Sequence, residues 1–337
     1  MASQGKVFIQ YVLIIAVTFL LIWFSLRGLQ VGEGENKWDY LIQTWQAADK
    51  GWLLLMALIS MVSHVIRAIR WKMLLTPVGH DTSLTNSMLS LMVGYLVNLV
   101  IPRGGEVSRC YNLYKLDKVP VEISFGTVVV ERIIDLLCLV ILVALSFLLE
   151  SEKLIDFITT LPISLEAGGS KFAKLFYFIL IAAAIFAVVY FLIKRNKKLN
   201  SFVVRTWKGF KGGMQSVFSV KNKPLFIGYS LSIWLLYFLM SYAVIMAFPS
   251  TAELGFRAVI SLFAIGAIAM AAPLPGGTGS YHVLVPQGLV FLYGVPETEA
   301  VAFTFIFHGW QTLILVVAGA IGLIITSILV KKKSRGD

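Results

Sequence analysis

Arg103, Glu106 and Arg109 follow one another at intervals of three directly behind Pro102, with Gly104-Gly105 between the first two. Proline and paired glycines release main-chain N–H groups from helical bonding, and a helix starting there turns those groups and its dipole toward an anion. Arginine adds a fork of donors that can hold a phosphate through two bonds at once. The pattern describes a phosphate site. A cytoplasmic loop obeying the positive-inside bias would explain Arg109 equally well, and Arg103 and Glu106 less well.

Glu131, Arg132 and Asp135 sit near the start of an apolar run, 123–149. A charge facing lipid at the bilayer centre costs about 2.5–3.5 kcal/mol on insertion scales, so these three are expected to face a protein interior. Arg132 and Asp135 stand one helical turn apart and can pair, while Glu131 can look toward the Pro-Gly segment. The alternative is an ion cluster that only ties this helix to its neighbours. His64, Arg67 and Arg70 form a further stripe at intervals of three near the end of the run 52–71. Arg67 and Arg70 are expected to snorkel to the interface. His64 and His282 are expected to be packed and hydrogen-bonded.

A second interruption, Pro273-Leu-Pro275-Gly276-Gly277-Thr278-Gly279, matches the first, Asn98 to Glu106. Main chain freed from helical bonding cannot face lipid and persists only where it is buried or lines a cavity. One such break in each half is the sign of a transporter-like site near the bilayer midplane. Gly276-Gly277-Thr278-Gly279 lacks the lysine of a phosphate-binding P-loop, and no nucleophile elbow or Ser-His-Asp ordering occurs. Four His and two Cys offer no zinc spacing, so no metal or cofactor is expected. An enzymatic role is the less favoured reading.

These groups need membrane helices to position them. The 337 residues are 58% hydrophobic and 14% charged with a mean hydropathy of +0.82, which marks an integral membrane protein. Runs of about 20 apolar residues suffice to cross a bilayer. They occur at 7–26, 52–71, 123–149, 172–193, 225–247 and 311–330, with the interrupted pair at 84–101 and 256–272. The first run lacks a small-residue cleavage site after Ser25-Leu26-Arg27 and reads as a retained span. The net charge of +11 gathers in loops, so nucleic acid is not an expected partner. Cys110 and Cys138 read as small packing residues.

Lys and Arg flank the segment 84–101 on both sides, so both its ends read as cytoplasmic; the acidic stretch with Glu150, Glu152, Asp156 and Glu166 reads as external. From Arg257 to Val330 no Lys or Arg follows, until Lys331-Lys332-Lys333-Ser334-Arg335. Counting crossings, the two breaks enter from opposite faces, with both termini cytoplasmic. A short internal repeat agrees: Arg132 lies 12 residues after Pro120 and His308 lies 12 after Pro296. The expected fold is an all-α polytopic transmembrane bundle with two inverted repeats, about 52–149 and 225–330, each holding a Pro/Gly-broken re-entrant hairpin. A basic amphipathic connector, about 194–223, joins them within a single integral membrane domain, 1–337. Its segment 199–220 suits either an interfacial helix over anionic head groups or an ordinary linker.

At three blocks the sequence resembles the transmembrane-region family of lysylphosphatidylglycerol synthases, also described as flippase-like integral membrane proteins. The blocks are Asn98…Pro102-Arg103-Gly104-Gly105-Glu106…Arg109, Val130-Glu131-Arg132…Asp135 and Pro273…Pro275-Gly276-Gly277-Thr278-Gly279. The resemblance implies a helical protein that moves a lipid between leaflets. In bifunctional members a separate soluble domain aminoacylates the lipid, an activity not expected here because the chain ends seven residues after Val330. The sequence has His282 where many members place an acid, and His308 where an Arg is usual.

The expected function is a lipid translocase of the bacterial inner membrane acting on an anionic phospholipid or lipid-linked phosphate. Its expected binding residues are Asn98, Arg103, Gly104, Gly105, Glu106, Arg109, Glu131, Arg132, Asp135, Pro275, Gly276, Gly277, Gly279, His282 and His308. In this reading Arg103 and Arg109 recruit the head group, and Glu131, Arg132 and Asp135 stabilise it or switch access. The alternatives are a membrane-embedded lipid-modifying transferase and a non-transporting partner of a lipid-synthesis enzyme.

Overall fold

The computed structural model describes residues 36–160 and 197–335, together with 20, 22, 23, 25, 26 and 29. The expected span 172–193, nearly all of 7–26, and the first three residues of the connector lie outside the described residues. Within them the chain is helical, with no strand.

Helix α1, Lys37–Ala47, is capped by Asn36, whose side chain accepts from the Trp38 amide at 3.0 Å. Asp49 caps α2, Lys50–Leu75, by accepting from the Gly51 and Trp52 amides. Ser83 does the same for α3, Leu84–Asn98. There follow α4, Gly104–Asp117; α5, Val121–Thr160; α6, Lys197–Gln215; and α7, Lys223–Ala247. The chain closes with α8, Gly255–Ala271; α9, Ser280–Tyr293; and α10, Glu297–Arg335. Pro120 and Pro296 stand immediately before α5 and α10, where a missing N–H leaves no bond unmade. Their carbonyls accept the first helical bonds, from Ser124 and Ala300.

Among the described residues four segments are long and apolar enough to cross a membrane: Lys50–Val78, Val121–Ser151, Lys223–Ala247 and Glu297–Lys333. The outward faces of these helices are themselves apolar. On α5, Leu136, Val140 and Ile141 are exposed and Leu148 is 83% exposed, an arrangement that requires lipid rather than water around the helix. The protein is an integral membrane protein. By contrast α3 has 15 residues and α8 has 17. At about 1.5 Å per residue both fall short of a hydrocarbon core about 30 Å thick.

The core has a larger part around Phe248, Leu289, Phe303 and Phe307, where α7 to α10 meet, and a second around Trp71, Leu91 and Leu113. Helix α2 packs along α7, and α10 along α3. Gly319 and Gly322 of α10 admit α3 closely: a Cβ on Gly319 would lie 2.6 Å from Leu96 Cβ, and one on Gly322 3.0 Å from Met92 Cβ. Small residues let membrane helices approach in this way where no hydrophobic force drives them together. Helix α6 packs on the start of α5 through Gly213 and Gly126, where an added Cβ on either would strike the other helix's main chain. The expected connector is thus a helix held against α5, with Trp207 and Phe218 left exposed.

Both Pro-Gly segments interrupt helices. After Asn98 the chain turns, the amides of Val100 and Ile101 bond back to the Val97 carbonyl, and Arg103 takes the left-handed region at φ 61° before α4 begins at Gly104. The Asn98 side-chain oxygen accepts from the Gly105 amide at 2.7 Å, so the last residue of α3 satisfies a first-turn donor of α4. Gly105 and Gly94 bring the two helices into main-chain contact, leaving no room for a Cβ. In the second break Gly276, Gly277 and Gly279 all have positive φ, at 57°, 72° and 102°. Only glycine adopts such angles in succession without strain. The Ser280 hydroxyl donates to the carbonyls of Ala269 and Gly277, satisfying acceptors that the break exposes.

Candidate functional site

The two breaks meet. A Cβ on Gly276 would lie 2.9 Å from Leu99 Cδ2, and Arg103 Nη2 donates to the Ala271 carbonyl oxygen at 2.6 Å. Beside this junction is a cavity of about 570 Å³. One part of its wall comes from the first break and the helix after it: Asn98, Leu99, Arg103 and Glu106. Another comes from the second break: Ala271, Ala272, Leu274, Gly276 and Gly277. Arg132 and Asp135 of α5, Arg67 and His64 of α2, and His308 of α10 supply the remaining charge and imidazole. Leu139, Leu262, Phe263 and Leu315 make a second, apolar side.

Behind the charged wall runs a continuous ion-pair chain. Arg67 pairs with Asp135 and donates to the Tyr95 hydroxyl at 3.3 Å. Arg70, wholly buried, reaches Asp135 at 3.2 Å, Glu131 at 3.3 Å and the Ser230 hydroxyl at 3.3 Å. Glu131, equally buried, accepts from Arg109 at 2.5 Å. The Arg109 guanidinium lies over the Trp71 ring at 4.8 Å, and Trp71 Nε1 donates to Thr127 Oγ1 at 2.9 Å. Arg132 is held more loosely, 3.7 Å from both Glu106 and Asp135. Glu106 Oε2 and the Nε atoms of Arg67 and Arg132 have no hydrogen-bond partner although buried.

The network corrects the expectation for α2. Arg67 and Arg70 do not snorkel, because Glu131 and Asp135 on α5 meet them inside the bundle. An arginine that has found a buried carboxylate has no reason to seek the interface. The signal available in the sequence was the same that marked Glu131: ionisable groups within an apolar run. Tyr95, Trp234 and Gln311, which also line the cavity, carried no sequence signal.

Of the expected residues, Asn98, Arg103, Glu106, Arg132, Asp135, Gly276, Gly277 and His308 line the cavity. Arg109 and Glu131 stand behind it, paired to each other. Arg109, expected to recruit a ligand, is 3% exposed with its charge already met. Gly104 and Gly105 serve the α3–α4 contact; a Cβ on Gly104 would press on Ile101. Pro275 and Gly279 shape the second turn. His282 is buried with its ring 4.8 Å from that of His308 and 4.4 Å from that of Phe305. His308 Nε2 lies 3.1 Å from the Gly276 carbonyl oxygen, to which only a protonated nitrogen can donate. Among the described residues no group of three His, Cys, Asp or Glu could hold a metal ion.

Four arginines, Arg67, Arg70, Arg109 and Arg132, therefore share three carboxylates, Glu106, Glu131 and Asp135, and Arg103 rests on a neutral carbonyl. A chamber with a cationic wall and an apolar wall can take a molecule that is anionic at one end and apolar at the other.

A family profile described as lysylphosphatidylglycerol synthase TM region matches residues 9–319. Among curated proteins, a UPF0104 membrane protein of Methanocaldococcus jannaschii is 30% identical over 126 residues, 36% of this chain and 35% of that protein. Glycosyltransferase AglD of Haloferax volcanii is 24% identical over 303 residues, 81% of this chain and 48% of that protein. A UPF0104 membrane protein of Methanothermobacter thermautotrophicus is 24% identical over 277 residues, 75% of this chain and 77% of that protein. The matched regions thus span less than half the length of the first two relatives. No solved structure matches the chain.

Proposed function

The chain belongs to the family of the lysylphosphatidylglycerol synthase TM region, and from that premise we propose that it is a flippase-like translocase for an anionic or phosphate-bearing lipid. The observation that carries this reading is the cavity where the two breaks meet, cationic on one side and apolar on the other. Arg103 and Arg132 hold the head group, the apolar wall receives the chains, and the buried network of Glu131, Asp135, Arg67 and Arg70 fixes the cations in place. Helices α3 and α8, too short for a full crossing, are the inward limbs of two re-entrant hairpins, with α4 and α9 returning. They enter from opposite faces of a bacterial inner membrane and belong to inverted repeats within one membrane domain, with both termini cytoplasmic. The parallel between Arg132, which approaches Glu106, and His308, which contacts Gly276, supports the repeat, since each lies 12 residues after a helix-starting proline.

Reconstituting the protein in liposomes with a head-group-labelled anionic phospholipid tests this. The wild type is expected to speed exchange between leaflets, and Arg103→Ala and Arg132→Ala to slow it at least about tenfold. Unchanged exchange in both variants would overturn the site.

The similarity to part of a protein named Glycosyltransferase AglD favours one other reading, a membrane component acting beside lipid-linked synthesis. Product analysis separates the two: a translocase returns its lipid chemically unaltered, and an enzyme does not.

A further inference from the structure

If the cavity receives a lipid head group, as proposed above, its charge count says which. Among the described residues lining the cavity the charged ones are Arg67, Arg103, Glu106, Arg132 and Asp135. Both Asp135 oxygens already serve Arg67 and Arg70, and Glu131 behind them serves Arg70 and Arg109. Arg132 stands 3.7 Å from Glu106 and from the already shared Asp135, and Arg103 has no carboxylate partner, resting on the Ala271 carbonyl. The lining sets Arg67, Arg103 and Arg132 against Glu106 and Asp135, and behind it Arg70 and Arg109 share Glu131, so lining and network together carry two uncompensated positive charges. Arg103 is exposed and Arg132 partly so, which leaves both open to a ligand, while the excess charge of the buried network behind them is costly and is relieved by a counter-ion.

We infer that the cavity selects a lipid carrying a doubly charged terminal phosphate, a phosphomonoester or diphosphate, over phosphodiester, zwitterionic and cationic head groups. A phosphomonoester carries about −1.5 to −2 at pH 7 and offers three acceptor oxygens, enough for Arg103 and Arg132 together. A phosphodiester carries −1 and leaves one arginine unmatched. An aminoacylated head group would bring a further cation to a wall that has no spare carboxylate for it. Buried donors without a hydrogen-bond partner, the Nε atoms of Arg67 and Arg132, lie on the same wall. The apolar side of the cavity, with Leu139, Leu262, Phe263 and Leu315, assigns the phosphate to a lipid rather than to the aqueous pool.

Binding can be measured apart from transport, with the full chain in nanodiscs of phosphatidylcholine. The ligands are phosphatidic acid, a long-chain prenyl diphosphate, phosphatidylglycerol and lysylphosphatidylglycerol, with inorganic phosphate as competitor. Phosphatidic acid and the prenyl diphosphate are expected to bind about tenfold more tightly than phosphatidylglycerol, with lysylphosphatidylglycerol weakest. Arg103→Gln and Arg132→Gln should each erase the preference, whereas Glu106→Gln, which adds net positive charge, should enlarge it. The opposite signs matter: weakening by Glu106→Gln as well would mean that shape rather than charge governs, and would overturn the inference. So would equal affinity for phosphatidylglycerol, or displacement by millimolar inorganic phosphate, which would point to a soluble anion. Selective binding without leaflet exchange would sink the translocase reading and leave this one standing; exchange without selectivity would do the reverse.

Discussion

Arg103, in the first break, donates a 2.6 Å hydrogen bond to the carbonyl of Ala271, the last residue of the helix that leads into the second break. The two are 168 positions apart in sequence. One side chain therefore spans the seam between the halves of the molecule while lining the cavity beside it.

Arg103 adopts φ 61°, a conformation that costs a non-glycine residue about 1 kcal/mol or more. Arg103→Gly is expected to raise the thermal unfolding midpoint in detergent slightly or leave it unchanged, and to reduce lipid exchange about tenfold. A fall in both would mean that Arg103 serves only the fold.

Removing the Glu131 charge leaves Arg70 and Arg109 short of a carboxylate inside the bundle. Glu131→Gln should destabilise the protein by about 3–5 kcal/mol, read by denaturant unfolding in mixed micelles. Adding Arg109→Gln should recover part of the loss, because the stranded cation goes with it. No recovery would contradict the pairing.

How much of this could be read from the sequence depends on how far apart the partners are. The breaks were legible because Pro102, Gly104-Gly105 and Pro275 to Gly277 announce themselves locally, by a missing donor or a missing Cβ. Glu131, Arg132 and Asp135 were legible because charge in an apolar run must face inward. The direction of Arg67 and Arg70 was not, since spacing defines a stripe but not what it faces, and their carboxylates lie 61 and more positions on. Nor was the retirement of Arg109 behind the cavity, which depends on Trp71 and Glu131 reaching it from two other helices. The continuity of α10 from Glu297 also escaped the hydropathy reading, which began its span at 311.

Gly105→Ala places a Cβ against the Gly94 carbonyl and the Asn98 amide. It is expected to cost about 1–3 kcal/mol and to open the α3–α4 contact. Gly228→Ala in α7 is the control: nothing lies within 4 Å, and the substitution should stabilise by about 0.5–1 kcal/mol. The pair is compared by melting in one detergent, and equal effects would refute the close approach.

Outside the cavity lining, Tyr293 of α9 and Ser261 of α8 both donate to Glu150, where α5 departs from helical angles at φ −144°. Tyr293→Phe should lower stability by about 1.5–3 kcal/mol, as expected for a hydrogen bond to a charged group, without changing lipid selectivity. An altered selectivity would connect this site to the cavity.

Where Gly126 of α5 and Gly213 of α6 press main chain to main chain, no side chain cushions the two helices. They must tilt as one body, like a crank keyed to its shaft. The crank's far end runs through a short turn, Ser216–Ser219, into α7, which lies along α2. A shift of α5, which carries Glu131 and Arg132, would thus pass through α6 to α7 and the helix beside it.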